Sequence, residues 1–452
     1  MQYNIVFYFS DQQRFDTCGC YGQELDITPN LDKLATEGTV FENAYTPQPV
    51  CGPCRAIFQT GLYATTTGCF RNNKMLPLNV KTVANYVEGA GYETSYVGKW
   101  HLASEGGLES KPSVDYQTKA IPPKYRGGYT GFWRASDVLE FTSDGYSGYV
   151  FDENMNKLDF KGYRCNCITD YALEFLDQWD NKKPFFMTVS HIEPHHQNNA
   201  KHYQGPLGSK EKFKDYKVPE DLKNLPGGDW AEEYPDYLGA CHSVDENLGR
   251  LVNKLKEKGI YENTIIIYSS DHGSHFKTRN KDSHLFGYDD YKRTCHDAAI
   301  HVPLVITGGP FKQNGKRVKE LVSTISLPKT IVSLTGTEVD NYMVGENLQE
   351  VATGVNLANR QNEVFVQISE SRVGRCIRTE KFKYSVVAPN LNGGDVASSS
   401  YYIDDFLYDL TKDPYELNNL VKDESYANIK AELKVKLIKW IKEAEGITVV
   451  IE

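Results

Sequence analysis

The chain is short of positive charge. Its 50 lysines and arginines stand against 60 acidic residues, a formal net charge of -10, which argues against the broad basic face that nucleic acids need. An anionic substrate would therefore depend on cations gathered locally, because the overall field repels it. No apolar run approaches the roughly 20 residues that span a bilayer, so no membrane partner is expected. The N-terminus lacks a basic region and a small-residue cleavage site, which predicts a cytoplasmic protein. Internal repeats and low-complexity tracts are also missing, and a composition 40% hydrophobic and 24% charged excludes long disorder. The ten cysteines lack a stapling pattern, and a chain of 452 residues has no need of one. Cys18-x-Cys20 and Cys165-x-Cys167 lack zinc-ribbon spacing, so most cysteines read as small buried hydrophobes.

What is present alternates short apolar runs with helical patterns, which predicts an α/β fold with a mainly parallel central sheet flanked by helices. Strands are expected at 5–9, 92–97, 184–189 and 264–269. Thr28, Pro29 and Gly38 read as N-cap, first helical position and stop of a helix that buries Leu31, Leu34 and Ala35. A second helix is expected at 83–87, and Ala240, Val244, Leu248, Leu251, Val252 and Leu255 carry another to Gly259. Residues 103–163, rich in Gly, Tyr and Trp and without periodicity, read as a functional insertion near a site. Beyond Arg360 the pattern changes to strands at 363–368, 375–387 and 406–408. A helix through Ile429, Leu433, Leu437 and Ile441 follows and ends at Gly446. This divides the chain into a catalytic part, 1–360, and a smaller antiparallel sheet subdomain plus helix, 361–452.

Ligands in open α/β sheets bind beyond the carboxyl ends of the strands. Four expected strands end in groups suited to metals and anions: Asp11 and Gln12; Lys99 and His101; His191, Glu193, His195 and His196; Asp271 and His272. Any one set has an ordinary reading, since polar residues commonly end strands, but four together point to one site. Asp11, Gln12, Asp271 and His272 offer mostly hard oxygen ligands, which suit Ca²⁺ or Mg²⁺. Lys99, His101 and His195 suit binding and protonating an anion.

Cys51-Gly52-Pro53-Cys54-Arg55 precedes Ala56 to Thr60-Gly61, and a helix starting near Pro53 would hold Cys51 at its positive end beside Arg55. Two chemistries fit these residues, beside the ordinary reading of a buried helix cap with no chemistry. One is an anion-handling nucleophile at position 51. The other is the dithiol of a thiol–disulfide oxidoreductase, for which Pro47-Gln48-Pro49 is a poor approach strand and Arg55 has no task.

The segment resembles the signature of the formylglycine-dependent sulfatases of the alkaline-phosphatase-like superfamily, Cys-x-Pro-x-Arg followed by Thr-Gly. The resemblance extends along the chain through Ser10-Asp11-Gln12, Thr28-Pro29-Asn30, Gly98-Lys99-Trp100-His101, Glu193-Pro194-His195 and Ser270-Asp271-His272-Gly273. It continues through Lys292 ahead of Val302-Pro303-Leu304, and Leu407-Tyr408-Asp409-Leu410 with Asp413-Pro414. It implies that Cys51 is oxidised to formylglycine by a maturation enzyme and that one divalent cation, Ca²⁺ rather than Mg²⁺, is held by Asp11, Gln12, Asp271 and His272. It further implies that Arg55, Lys99, His101, His195 and Lys292 act in hydrolysis of a small sulfated substrate, expected to be a saccharide. A phosphodiesterase or phosphonate monoester hydrolase of the same superfamily would use the same anion site.

Three departures from the family pattern stand out. Gln12 occupies a position that often carries a second aspartate, Cys54 stands where many members have serine, and residues 275–291 form a long stretch in which Lys281 rivals Lys292. Asn73 and His296 are expected to touch substrate, with Arg71 and Asn72 beside them. His202, His242 and His284 read as ordinary surface or core residues.

Overall fold

The computed structural model describes residues 2–107, 111–280, 291–339, 341–355 and 357–452; Lys281 and His284 lie outside the described residues. The larger sheet has ten strands: β1 Asn4–Asp11, β2 Thr39–Tyr45, β3 Glu93–Lys99, β4 Phe132–Ser136, β5 Ser147–Asp152, β6 Lys157–Lys161, β7 Phe185–Pro194, β8 Thr264–Ser270, β9 Leu304–Thr307 and β10 Lys316–Ser323. They lie in the order β10-β2-β9-β8-β1-β7-β3-β4-β5-β6. The central neighbours β8, β1, β7, β3 and β4 run parallel, while β9 and β5 run against their neighbours. The fold is α/β, with a mainly parallel sheet flanked by helices.

The alternation of β1 divides the core. Ile5, Phe7 and Phe9 face a cluster with Phe58, Val83 and Leu327, on the side of helices Cys51–Thr60, Val83–Gly89 and Ser326–Leu334. Val6 and Tyr8 face Leu31, Ile168 and Leu248, from helices Pro29–Glu37, Arg164–Gln178 and Trp230–Glu257. Both faces are covered, which is why the central strands read as unbroken apolar runs. Because β8, β1, β7 and β3 are adjacent and parallel, their carboxyl ends open on one place. That topology turns four separate sequence segments into one site.

The segment 103–163 holds more regular structure than its sequence suggests. Strands β4, β5 and β6 lie there and extend the sheet. They are short and punctuated by glycine and tyrosine, so no period of two builds up. The strands β2, β9 and β10 also escape the sequence reading; β10 places Lys316, Arg317 and Lys319 toward solvent, a charged edge that reads like a loop.

A second sheet of five strands, β11 Glu363–Ile368, β12 Gly374–Thr379, β13 Phe382–Val387, β14 Tyr401–Asp409 and β15 Val450–Ile451, is antiparallel except for the last pair. Helix Ala427–Glu445 buries Leu433, Leu437 and Ile441 against it and ends at Gly446 in the left-handed region. Among the described residues no helix is long and apolar enough to cross a membrane.

Gly98 shows how closely the strands beneath the site are fitted. It pairs with Ser190 of β7 at φ +107°, and a Cβ there would lie 2.0 Å from the Ser190 carbonyl oxygen. Neither backbone can yield without moving Lys99. Gly98→Ala is expected to cost roughly 3 kcal/mol through positive-φ strain and overpacking. Denaturant unfolding measures it, and an unchanged midpoint would show that β3 can shift at no cost.

Candidate active site

Helix Cys51–Thr60 starts two residues earlier than its proline suggests and stops at Gly61, which is left-handed at φ 66°. All ten of its residues are buried. Asn72 Oδ1 accepts the Gly52 amide at 2.9 Å, tying off the helix start next to Cys51. One turn on, Arg55 reaches back under the strand ends. Its Nη1 donates to the Lys99 carbonyl and Ser190 Oγ, its Nη2 donates to Asp11 Oδ2 at 3.0 Å, and its Nε lies 3.4 Å from Asp271 Oδ2. A buried guanidinium between two buried carboxylates sets their spacing.

Cys51 Sγ sits where these groups meet. It lies 3.4 Å from Asp11 Oδ1, 3.3 Å from His272 Nε2 and 3.1 Å from Lys292 Nζ. Lys99 Nζ donates to Asp11 Oδ2 at 2.8 Å and to Glu140 Oε1 at 3.2 Å. Lys292 Nζ also donates to His195 Nε2 at 2.8 Å. His195 Nδ1 faces the His196 carbonyl at 2.6 Å and His272 Nδ1 faces the Gly273 carbonyl at 3.0 Å. A carbonyl only accepts, so both rings carry their proton on Nδ1 and turn a bare Nε2 toward the site. His101, at φ 61°, is buried, and its Nδ1 has no partner among the described residues.

The charges pull against one another. Burial pushes the Asp11 carboxyl up, but the Lys99 ammonium and the Arg55 guanidinium outweigh it and hold Asp11 well below the usual range. Asp271 is pushed up to about 7, by burial and then by the charge of Asp11. Burial drives His101, His195 and His272 well below the usual imidazole range, with Lys99 the next cause at His101 and Lys292 at the other two, so all three are neutral bases. The Cys51 thiol is pushed up to about 12 by burial and Asp11, against the pull of Lys292 and Lys99.

Ligand atoms of Asp11, Cys51, Asp271 and His272 all lie within 4.8 Å of one another. Asp271 Oδ2 is buried and accepts no hydrogen bond among the described residues. A carboxylate oxygen with no hydrogen bond among the described residues, a second carboxylate beside it and a bare imidazole nitrogen form a donor set that fits a divalent cation. Gln12 is brought alongside through its backbone amide, which donates to Asp271 Oδ1 at 3.1 Å. Its side-chain Nε2 turns to Tyr203 Oη at 2.9 Å, and its Oε1 has a 3.4 Å contact from the His196 amide. A second group, Cys165, His191 and Glu193, is already engaged: Arg164 pairs with Glu193, and Asn247 donates to Cys165 Sγ.

The two residues expected to touch substrate have partners within the chain. His296 is fully buried, with Nδ1 on Thr294 Oγ1 at 2.7 Å and Nε2 on Tyr408 Oη at 2.9 Å. No ring nitrogen remains for a ligand, and His296 instead joins the Lys292 segment to the second sheet. Asn73 spends its amide on Gln117 and the Gly107 carbonyl, while its neighbour Asn72 braces the Cys51 helix. His242 and His301 bond to the Ile27 and Glu42 carbonyls, as ordinary packed residues do. Sequence reasoning misses Ser190, hidden within an apolar strand, and Glu140, hidden in the aperiodic stretch.

Comparison with known proteins places this geometry. The sulfatase family model matches residues 3–337, and a model described as N-sulphoglucosamine sulphohydrolase, C-terminal, matches residues 285–443. The chain is 30% identical to an uncharacterized sulfatase, YidJ, of Escherichia coli K12, covering 97% of this chain and 87% of that one. Two solved structures share the fold. One is of a protein in complex with its substrate D-glucosamine-2-N,6-O-disulfate (TM-score 0.76, 23% identity, 99% of each chain). The other is a phosphonate monoester hydrolase of Agrobacterium radiobacter (TM-score 0.71, 20% identity, 98% of this chain and 96% of that one). With the Cys51 segment at the convergence of four strand ends and a family match over most of its length, the chain belongs to the sulfatase family and is a sulfuric ester hydrolase.

Proposed function

We propose that the enzyme releases inorganic sulfate from a sulfated saccharide, using formylglycine made from Cys51 by a maturation enzyme and one divalent cation. The observation that carries the reading is the convergence of Asp11, Cys51, Asp271 and His272 within 4.8 Å, flanked by Lys99 and Lys292. The cation would be held by Asp11, Asp271, His272 and Gln12 through Oε1. Several protein ligands favour Ca²⁺ over Mg²⁺, which keeps more of its water. When bound, the cation and the hydrated aldehyde supply Lewis acidity and two geminal hydroxyls at position 51.

The chain's own residues do the rest. Arg55 fixes Asp11 and Asp271 and adds positive charge beneath residue 51. Lys99 and Lys292 bind sulfate oxygens and stabilise charge developing on them. His195, neutral, accepts from Lys292 through Nε2 and holds that ammonium in place. His101, neutral and with an Nδ1 that has no partner among the described residues, is suited to take a proton from the second hydroxyl once the alcohol has left, so that sulfate is expelled and the aldehyde returns. The saccharide assignment is supported by the disulfated glucosamine substrate of the structural neighbour and by the description of the C-terminal family model.

The test is a screen of sulfated mono- and disaccharides for sulfate release, repeated after chelation. At least one saccharide should be turned over, and chelation should lower the rate at least about 100-fold, with Ca²⁺ restoring it. Turnover of phosphonate esters but no sulfate ester would sink the substrate reading. A rate indifferent to chelation would sink the metal.

A further inference from the structure

We propose that Glu140 sets the charge of the anion the site accepts, favouring a monoanionic sulfate ester over a dianionic phosphate monoester of the same shape. The proposal rests on the sulfatase reading above, in which Lys99 binds the ester's oxygens.

Glu140 lies in the short helix Leu139–Thr142 that follows β4. It is 6% exposed, and its Oε1 accepts from Lys99 Nζ at 3.2 Å. Lys99 is its one cationic partner among the described residues. Its other oxygen, Oε2, is buried and has no hydrogen-bond partner among them. Such an oxygen is costly to bury, and a neutral side chain would avoid the cost. Anchoring the segment is no explanation for the charge, since the Glu140 main-chain carbonyl already accepts from Gln197 Nε2 at 3.2 Å, and Arg164 holds Gln197.

The carboxylate's effect is on Lys99. That ammonium already pairs with Asp11 at 2.8 Å, whose charge the site needs for Arg55 and for a cation. Glu140 adds a second negative charge to the same ammonium and lowers the net positive field over the anion pocket. Sulfate esters and phosphate monoesters are close in size and geometry, so shape cannot separate them. They differ in charge, because a phosphate monoester loses its second proton near pH 6. In a buried site each extra negative charge on the ligand doubles its interaction with an uncompensated cation, and equally with an uncompensated carboxylate. Removing the Glu140 charge therefore helps a dianion more than a monoanion. Phosphodiesters are monoanions and pass this filter, so they serve as an internal control for phosphorus chemistry.

The experiment measures binding of methyl sulfate, dimethyl phosphate and methyl phosphate at pH 8 by calorimetry. It uses the purified full-length enzyme, its Glu140→Gln variant and its Glu140→Asp variant. Glutamine keeps an acceptor for Lys99 and loses the charge. Relative to wild type, Glu140→Gln is expected to improve methyl phosphate against both monoanions by roughly tenfold, while Glu140→Asp keeps the wild-type order. Glu140→Ala, which removes charge and acceptor together, should shift the order the same way and guards against a folding defect specific to glutamine. If Glu140 merely positions Lys99, Glu140→Gln weakens all three probes alike, and the proposal is overturned. A wild-type enzyme that binds methyl sulfate and releases sulfate from a saccharide, yet shows no change in order on substitution, defeats this inference alone. One that neither binds methyl sulfate nor releases sulfate defeats the sulfatase mechanism, and this inference with it.

Discussion

Replacing Lys292 by alanine is expected to lower sulfate release about 10²–10³-fold, the loss typical of removing one preorganised charge from a developing oxyanion. Lys292 Nζ stands 3.1 Å from the position 51 sulfur, and it also holds His195 at 2.8 Å. The variant therefore removes a cation and releases the ring whose orientation that cation fixes. The chain's net charge of -10 gives no background field to make up the loss. Because the missing interaction grows as charge moves onto the ester oxygens, kcat should fall by more than KM rises. Steady-state kinetics on the substrate found by the saccharide screen measures this. If Lys281→Ala is the inactive variant and Lys292→Ala keeps its rate, the assignment of this segment is wrong.

Cys51→Ala is expected to abolish hydrolysis outright, whereas Cys54→Ser keeps most of it. The unmodified thiol at position 51 is a poor nucleophile, since burial and Asp11 push it up to about 12 and leave almost no thiolate at neutral pH. The same burial opposes a dithiol mechanism. Cys54 is fully buried, its Sγ lies 3.3 Å from Thr46 Oγ1, and burial drives its thiol well above the usual range. An aldehyde hydrate needs no thiolate and has a second hydroxyl with which to expel sulfate. Peptide mass analysis of active enzyme should find an aldehyde at position 51. Full activity with unmodified cysteine there would refute the mechanism, and an insulin-reduction assay requiring both cysteines would favour the redox alternative.

The central strands are legible in the sequence because burial on both faces writes them as unbroken apolar runs, as in Ile5 to Phe9 and Ile265 to Tyr268. The groups that meet around Cys51 are legible for the same reason, since Asp11, Lys99, His195 and Asp271 each come at or just past the end of such a run. Edges are harder to read. Strand β10 alternates charge with apolar residues, and β4 to β6 are too short to build a period. Glu140 has no mark in sequence at all; it matters only because β4 lies beside β3, a long-range pairing that no local pattern encodes. His296 fails in the opposite way. It stands four residues after Lys292, yet the chain turns between them and gives its ring to Tyr408.

The helix bearing Cys51 is wedged between two bodies and belongs wholly to neither. Phe58 is clamped in the packing of the large sheet, and Ile57, one position before it, in that of the small one. A strain applied to the small sheet is thus delivered within two turns to residue 51, while the strands that supply Asp11 and Lys99 stay where they are. Residue 51 and the groups around it can be pulled out of alignment without either sheet unravelling. Heat or denaturant should therefore silence such a molecule before its bulk structure melts, and trimming it back to the large sheet would strip one jaw from the vice that holds residue 51.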